Sequence, residues 1–194
     1  MLENTVKYMA LTDREAWLAN FYRNSELHGA LLMGRLARTM KDDTLLVEMT
    51  AHCATEARHA SVLSRAIATA GAHLDPNVPT IQEAYAAEGG VPTALLDILV
   101  LSETLEKRVR AGYHRHLALE SPHAAIRETL EAIVAEMEAK HGAEHAGWIE
   151  QALDHLDPAQ VEAARQKWQA VDRAVATRIE RSLDERFSAG SARS

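Results

Sequence analysis

The chain has 194 residues, long enough for one domain with a sizeable core. Apolar residues at 47% and charged residues at 25% are ordinary for a soluble globular protein, and a net charge of −7 argues against a general nucleic-acid binder. Cys53 is the only cysteine, which excludes an intrachain disulfide and a cysteine-based zinc site and fits a cytoplasmic location.

The opening residues, 1–8, lack a basic segment followed by an apolar one, so no signal peptide is expected. The longest apolar stretch, Ala94 to Leu101, is interrupted by Asp97 and is too short to span a bilayer.

Strand signals are nearly absent, with aromatics at 5% and no alternating β-branched run. Thr12-Asp-Arg-Glu15 reads as a capping box and opens a first helix that runs to about Met40. Lys41-Asp-Asp43 is a tight connection with a capping aspartate, after which a second helix continues to Ala70 and stops at Gly71. Residues 71–91 differ in kind. They hold Pro76, Pro79, Gly89 and Gly90, with room for one short helix from Thr80 to Glu88. A third long helix is expected from near Pro92 to around Glu120, and a fourth, capped by Ser121-Pro122, to about Leu153. Asp157-Pro158 opens a fifth that extends to roughly Phe187, and the small polar tail, 188–194, is expected to be disordered.

The loops therefore run short, long, short. Two antiparallel hairpins joined by a crossover predict an all-α fold: a four-helix bundle over about residues 13–154, with an additional C-terminal helix over 158–187. The whole is one domain, 1–187.

Two Glu-x-x-His tetrads stand inside these helices, Glu56-Ala-Arg-His59 and Glu138-Ala-Lys-His141. Residues three apart share a helix face, so each tetrad can aim a carboxylate and an imidazole at one point. Each is preceded by a helix with a glutamate in an apolar stripe, Glu26 and Glu106, at spacings of 30 and 32 residues. Four carboxylates and two imidazoles pointing inward are the ligand set of a two-iron or two-manganese centre. A third tetrad, Glu120-Ser-Pro-His123, falls at a helix start because of Pro122 and is set aside.

The stripes leave choices open. Glu26 lies in the series Tyr22, Glu26, Ala30, Met33, Ala37, where a carboxylate must be paired, protonated or metal-bound; the alternative is a wider polar face. Glu103 shares a stripe with Glu106 and is its substitute or an extra ligand. His52, His145, Arg58 and Arg110 are placed behind the ligands, where they would orient them. Solvated surface residues are the competing reading for the arginines. Tyr113 is the candidate catalytic residue, as a redox or proton-holding group, against simple packing with a satisfied hydroxyl.

The set Glu26, Glu56-Ala-Arg-His59, Glu106, Glu138-Ala-Lys-His141 resembles the ferritin-like diiron-carboxylate superfamily over roughly residues 13–154. The resemblance implies that Glu56 and Glu138 bridge two metals, with Glu26 and His59 completing one and Glu106 and His141 the other. Its Glu-Ala-Arg-His form is similar to the oxidase and oxygenase branches, including tRNA-hydroxylase-like proteins. No Cys-x-x-Cys pairs exist for a rubredoxin iron site, and the long fifth helix and elaborated crossover depart from a storage ferritin.

Carboxylates with imidazoles and no thiolate suit iron, manganese or a mixed pair. The implied activity is an O₂-activating oxidase or oxygenase on a small or nucleoside-like substrate, served by an external electron donor. A homodimer is expected, no membrane partner is, and nucleic acid only as a tRNA substrate. The alternatives are a ferroxidase or rubrerythrin-like peroxide scavenger, and a metal-free helical interaction protein.

Overall fold

A computed structural model of the chain describes residues 11–153 and 157–188, apart from the side chains of 140–146, 150–153 and 188. The described structure is helical throughout and contains no strand. Six helices follow in order: α1 (Asp13–Ala37), α2 (Asp43–Thr69), α3 (Ile81–Gly89), α4 (Leu95–Leu117), α5 (Ala124–Leu153) and α6 (Pro158–Ser188). None is long and apolar enough to cross a membrane.

The helix ends follow local chemistry. Thr12 accepts from the Glu15 N–H, and Asp42 accepts from the Leu45 N–H. The capping box expected at Thr12 is only half formed. Glu15 does not reach back to it, because its carboxylate accepts instead from the His123 N–H at 2.7 Å and lies 3.2 Å from His116 Nε2. A complete box forms at Thr80 and Glu83, at the start of the crossover helix α3. Gly71, at φ +77°, ends α2 in the left-handed conformation that glycine adopts without steric cost.

α1 and α2 form a closely packed hairpin, α4 and α5 a second, and α2 packs on α5. α6 lies against α4 and α3. The crossover is pinned to α1 by buried amides: Asn20 bonds His73 and Asp75, and Asn24 donates to the carbonyls of Asp75 and Val78. Ser25 then accepts from the Ile81 N–H, and Gln82 donates to the Ser25 carbonyl at 3.0 Å. These bonds bring α3 beside Glu26. The core between the hairpins is built from Met49, Leu63 and Ile67 of α2 with Leu99, Tyr113, Ile126, Leu130 and Met137 of α4 and α5. Of the expected tail, 188–194, Ser188 is the last residue of α6 and 189–194 lie outside the described residues.

Candidate metal centre

α1 and α2 pack side by side, and their apolar stripes turn inward together. Glu26 and His59 are carried into the interior, where both are almost fully buried. Glu56 comes with them, one turn before His59. Gly29 makes room for it: a Cβ on Gly29 would lie 2.4 Å from Glu56 Oε2. No other residue type fits that approach without displacing the carboxylate.

Glu26, Glu56 and His59 offer ligand atoms within 4.8 Å of one another. A second group with the same property is His52, Glu56 and Glu106, so Glu56 belongs to both. His59 Nδ1 lies 3.2 Å from Glu26 Oε2, and its Nε2 lies 3.3 Å from Glu136 Oε2. A neutral imidazole donates from one nitrogen only, so at most one of these contacts is a hydrogen bond in the neutral ring. His52 Nε2 approaches Glu56 Oε1 at 3.4 Å, with Trp148 edge-on to its ring at 5.2 Å.

Burial pushes the Glu56 carboxyl well above the usual carboxylate range, and the neighbouring Glu26 and Glu106 push it further. The same causes act on Tyr113, whose hydroxyl donates to Glu26 Oε1 and whose pKa is raised well above that of a free tyrosine by burial and then by Glu26. Tyr22 packs edge-on against Tyr113 at 4.8 Å and donates to the Gly112 carbonyl. Converging carboxylates that raise one another's pKa could be relieved by a bound cation. The donor set is oxygen and imidazole with no thiolate, which suits hard or borderline divalent metals.

The structure divides the sequence-derived residues. Glu26, Glu56, His59 and Glu106 converge, and His52, expected behind the ligands, is among the candidate ligands. Glu103 turns away toward α6, paired with Lys107 at 2.6 Å on its own helix and with Arg165 of α6 at 4.0 Å. Glu138 does not join the cluster. Its side chain is 56% exposed and lies 3.4 Å from the equally exposed His114 of α4. The side chains of His141 and His145 lie outside the described residues. Arg58 does not tether a cluster glutamate; it pairs with Glu136 on the rim, and that arginine is the main reason the Glu136 carboxyl is held down at about 2. Arg110 is half-buried and takes no part in either group.

Glu136 was not singled out by the sequence. The buried residues of α5 run Ile126, Leu130, Ile133, Val134, Met137, and Glu136 and Glu138 flank that stripe on opposite sides. Spacing alone treats the two as equivalent. The neighbour decides: Glu136 faces α2, with its Arg58 and His59, and Glu138 faces α4.

A cavity of about 460 Å³ opens beside the cluster, between α1, α4 and the crossover. Its deep end holds Glu26, Glu56, His52 and Glu106, and its walls are largely aliphatic, including Leu32, Met33, Leu36, Leu101 and Leu105.

No protein-family model, curated protein or solved structure matches this chain.

Proposed function

We propose that the protein is a dimetal-carboxylate oxidase or oxygenase with a ferritin-like arrangement of α1, α2, α4 and α5, using iron, manganese or both. The observation that carries this reading is Glu56, which two ligand groups share and whose burial beside Glu26 and Glu106 calls for a compensating cation. Glu26 and His59 would hold one metal, and His52 and Glu106 the other, with Glu56 between them. This differs from the set expected from the two tetrads in adding His52 and in leaving out Glu138, which is exposed beside His114; the expected ligand His141 lies outside the described residues.

Two reduced metals held there would supply the electrons and the open coordination positions for O₂ reduction. The chain's own residues do the rest. Tyr113 donates its hydroxyl to Glu26 Oε1 and fixes that carboxylate's orientation. Gly29 lets Glu56 lie flat against α1. The aliphatic walls keep water from the reacting end and leave room for an organic molecule that an iron store has no use for. An external electron donor and a homodimer belong to the same reading.

The test is metal analysis of anaerobically prepared protein, followed by optical spectroscopy on O₂ exposure. Two metals per chain and a transient oxidised chromophore are expected, both lost in Glu56→Ala. Retention of a single metal unaffected by Glu56→Ala would refute the shared role of Glu56. Accumulation of many irons per chain would turn the reading to ferroxidase and storage.

A further inference from the structure

The cavity's polar residues are mostly occupied among themselves. Ser102 donates to a carbonyl of its own helix and Thr39, in the turn after α1, to the Leu36 carbonyl; Ser25 donates within α1 while accepting from Ile81, and Glu83 caps α3. His28 is bonded to Thr80 at 2.9 Å. A nucleoside would bring several donors and acceptors into walls that offer few partners, and each unmatched one carries its full desolvation penalty. The walls select against it.

Two polar atoms stand apart. Arg35 is the one lysine or arginine among the described lining residues, and no described carboxylate pairs with it. It follows Glu26 by nine positions on α1, so about 13 Å of helix separates the mouth from the cluster. At the deep end, Gln82 Oε1 is buried without a hydrogen-bond partner, while its Nε2 is held on the Ser25 carbonyl. One cation at the mouth, an aliphatic passage, and one open acceptor beside the carboxylates define an amphipathic guest.

We propose that the cavity takes a medium-chain monocarboxylic acid, its carboxylate on Arg35 and its apolar tail along Leu32, Leu36, Leu101 and Leu105 toward Glu56. The inference rests on the dimetal reading for what happens at the tail. Binding in this orientation rests on the cavity alone. Under the dimetal reading, oxygenation of the tail by O₂ with two electrons from the external donor and two protons (R–H to R–OH, the second oxygen leaving as water) would create a hydroxyl there, from which Gln82 Oε1 is placed to accept.

The experiment is isothermal titration calorimetry of the full chain with decanoate, decanol and adenosine, in the absence and presence of Mn(II). Decanoate is expected to bind in both conditions and adenosine in neither. Arg35→Gln, at an exposed position, should weaken decanoate about five-fold and leave decanol unchanged, the size of an exposed ion pair. Leu105→Trp should abolish both, with circular dichroism verifying its fold. Decanoate binding that ignores Arg35→Gln, or that appears only with Mn(II), would put the carboxylate elsewhere and overturn the proposal, as would adenosine binding or no decanoate binding. Loss of Mn(II) binding with decanoate intact would strike the dimetal reading alone, and the converse would strike this inference alone.

Discussion

Two polar clusters lie inside the helices, and they are built in opposite ways. Between α3, α4 and α6, Asp172 receives the Arg108 guanidinium through Nε at 2.8 Å and Nη2 at 2.5 Å, and the Tyr85 hydroxyl donates to the same carboxylate. Burial alone would raise the Asp172 pKa, but the hydrogen bonds from Arg108 and Tyr85 outweigh it and hold the carboxyl below its usual range. Every charge there has its counterpart. Between α1, α2 and α4, by contrast, Glu26, Glu56 and Glu106 meet with histidines and a tyrosine, and Glu56 is pushed the other way. A matched cluster holds helices together; in the second cluster burial and neighbouring carboxylates act in one direction on Glu56, and that is the arrangement on which the proposed metal site rests.

The contrast can be broken most forcefully at Glu56. Metal at one hundred times its dissociation constant should stabilise the wild-type fold by about 2.7 kcal/mol. Glu56→Gln should lose that gain yet melt no lower than wild type in chelator, since it removes a desolvated carboxylate. Thermal melts with and without Mn(II) check both halves. Lower stability of Glu56→Gln in chelator would mean that the cluster is as structural as the clamp.

Asp172→Ala should behave in reverse. The loss of charged hydrogen bonds predicts about 2 kcal/mol of destabilisation, equal with and without metal. A metal-dependent effect in denaturant titrations would show that the two clusters are not independent.

Gly29→Ala probes the approach of α1 to the Glu56 carboxylate. Its methyl group must displace Glu56, and overpacking of this kind costs about 1–3 kcal/mol. The expected signature is a weakened metal affinity in equilibrium dialysis with an unchanged helical circular dichroism spectrum. Unaltered metal affinity would remove Glu56 from the site.

The clamp also carries a pH dependence. A carboxyl whose folded pKa is lowered contributes stability that is full above its unfolded pKa and is lost as pH falls through the folded one. Wild type should therefore lose the clamp's contribution below about pH 4. Asp172→Asn should show a flatter acid limb in melts from pH 7 to pH 3, and an identical limb would assign the loss to other carboxylates.

The smallest effects separate the two flanking glutamates of α5. Glu138→Gln, at an exposed position, should change stability by less than about 0.5 kcal/mol and leave metal affinity alone. Glu136→Gln frees Arg58 and one side of His59, so metal affinity should shift. Reversed results would return Glu138 to the site.

Much of this was written in the sequence. Helix boundaries were legible because their punctuation is local: Thr12, Asp42, Gly71, Thr80 and Asp157-Pro158 act within a turn of where they sit. Glu26, Glu56, His59 and Glu106 were legible because a carboxylate or imidazole inside an apolar stripe has few ways to be satisfied. What the sequence left undecided was set by neighbours far along the chain. Glu15 abandoned its capping box because His116 and the His123 N–H, more than a hundred residues on, offered a buried carboxylate better partners. Glu138 and Glu136 are equivalent on the α5 helix, and only the packing of α2 on one side and α4 on the other sends one to His59 and the other to solvent. Helical period fixes which residues share a face; which face meets which neighbour is a property of tertiary packing, because the apolar stripe is wide enough to roll and its flanks carry similar charges.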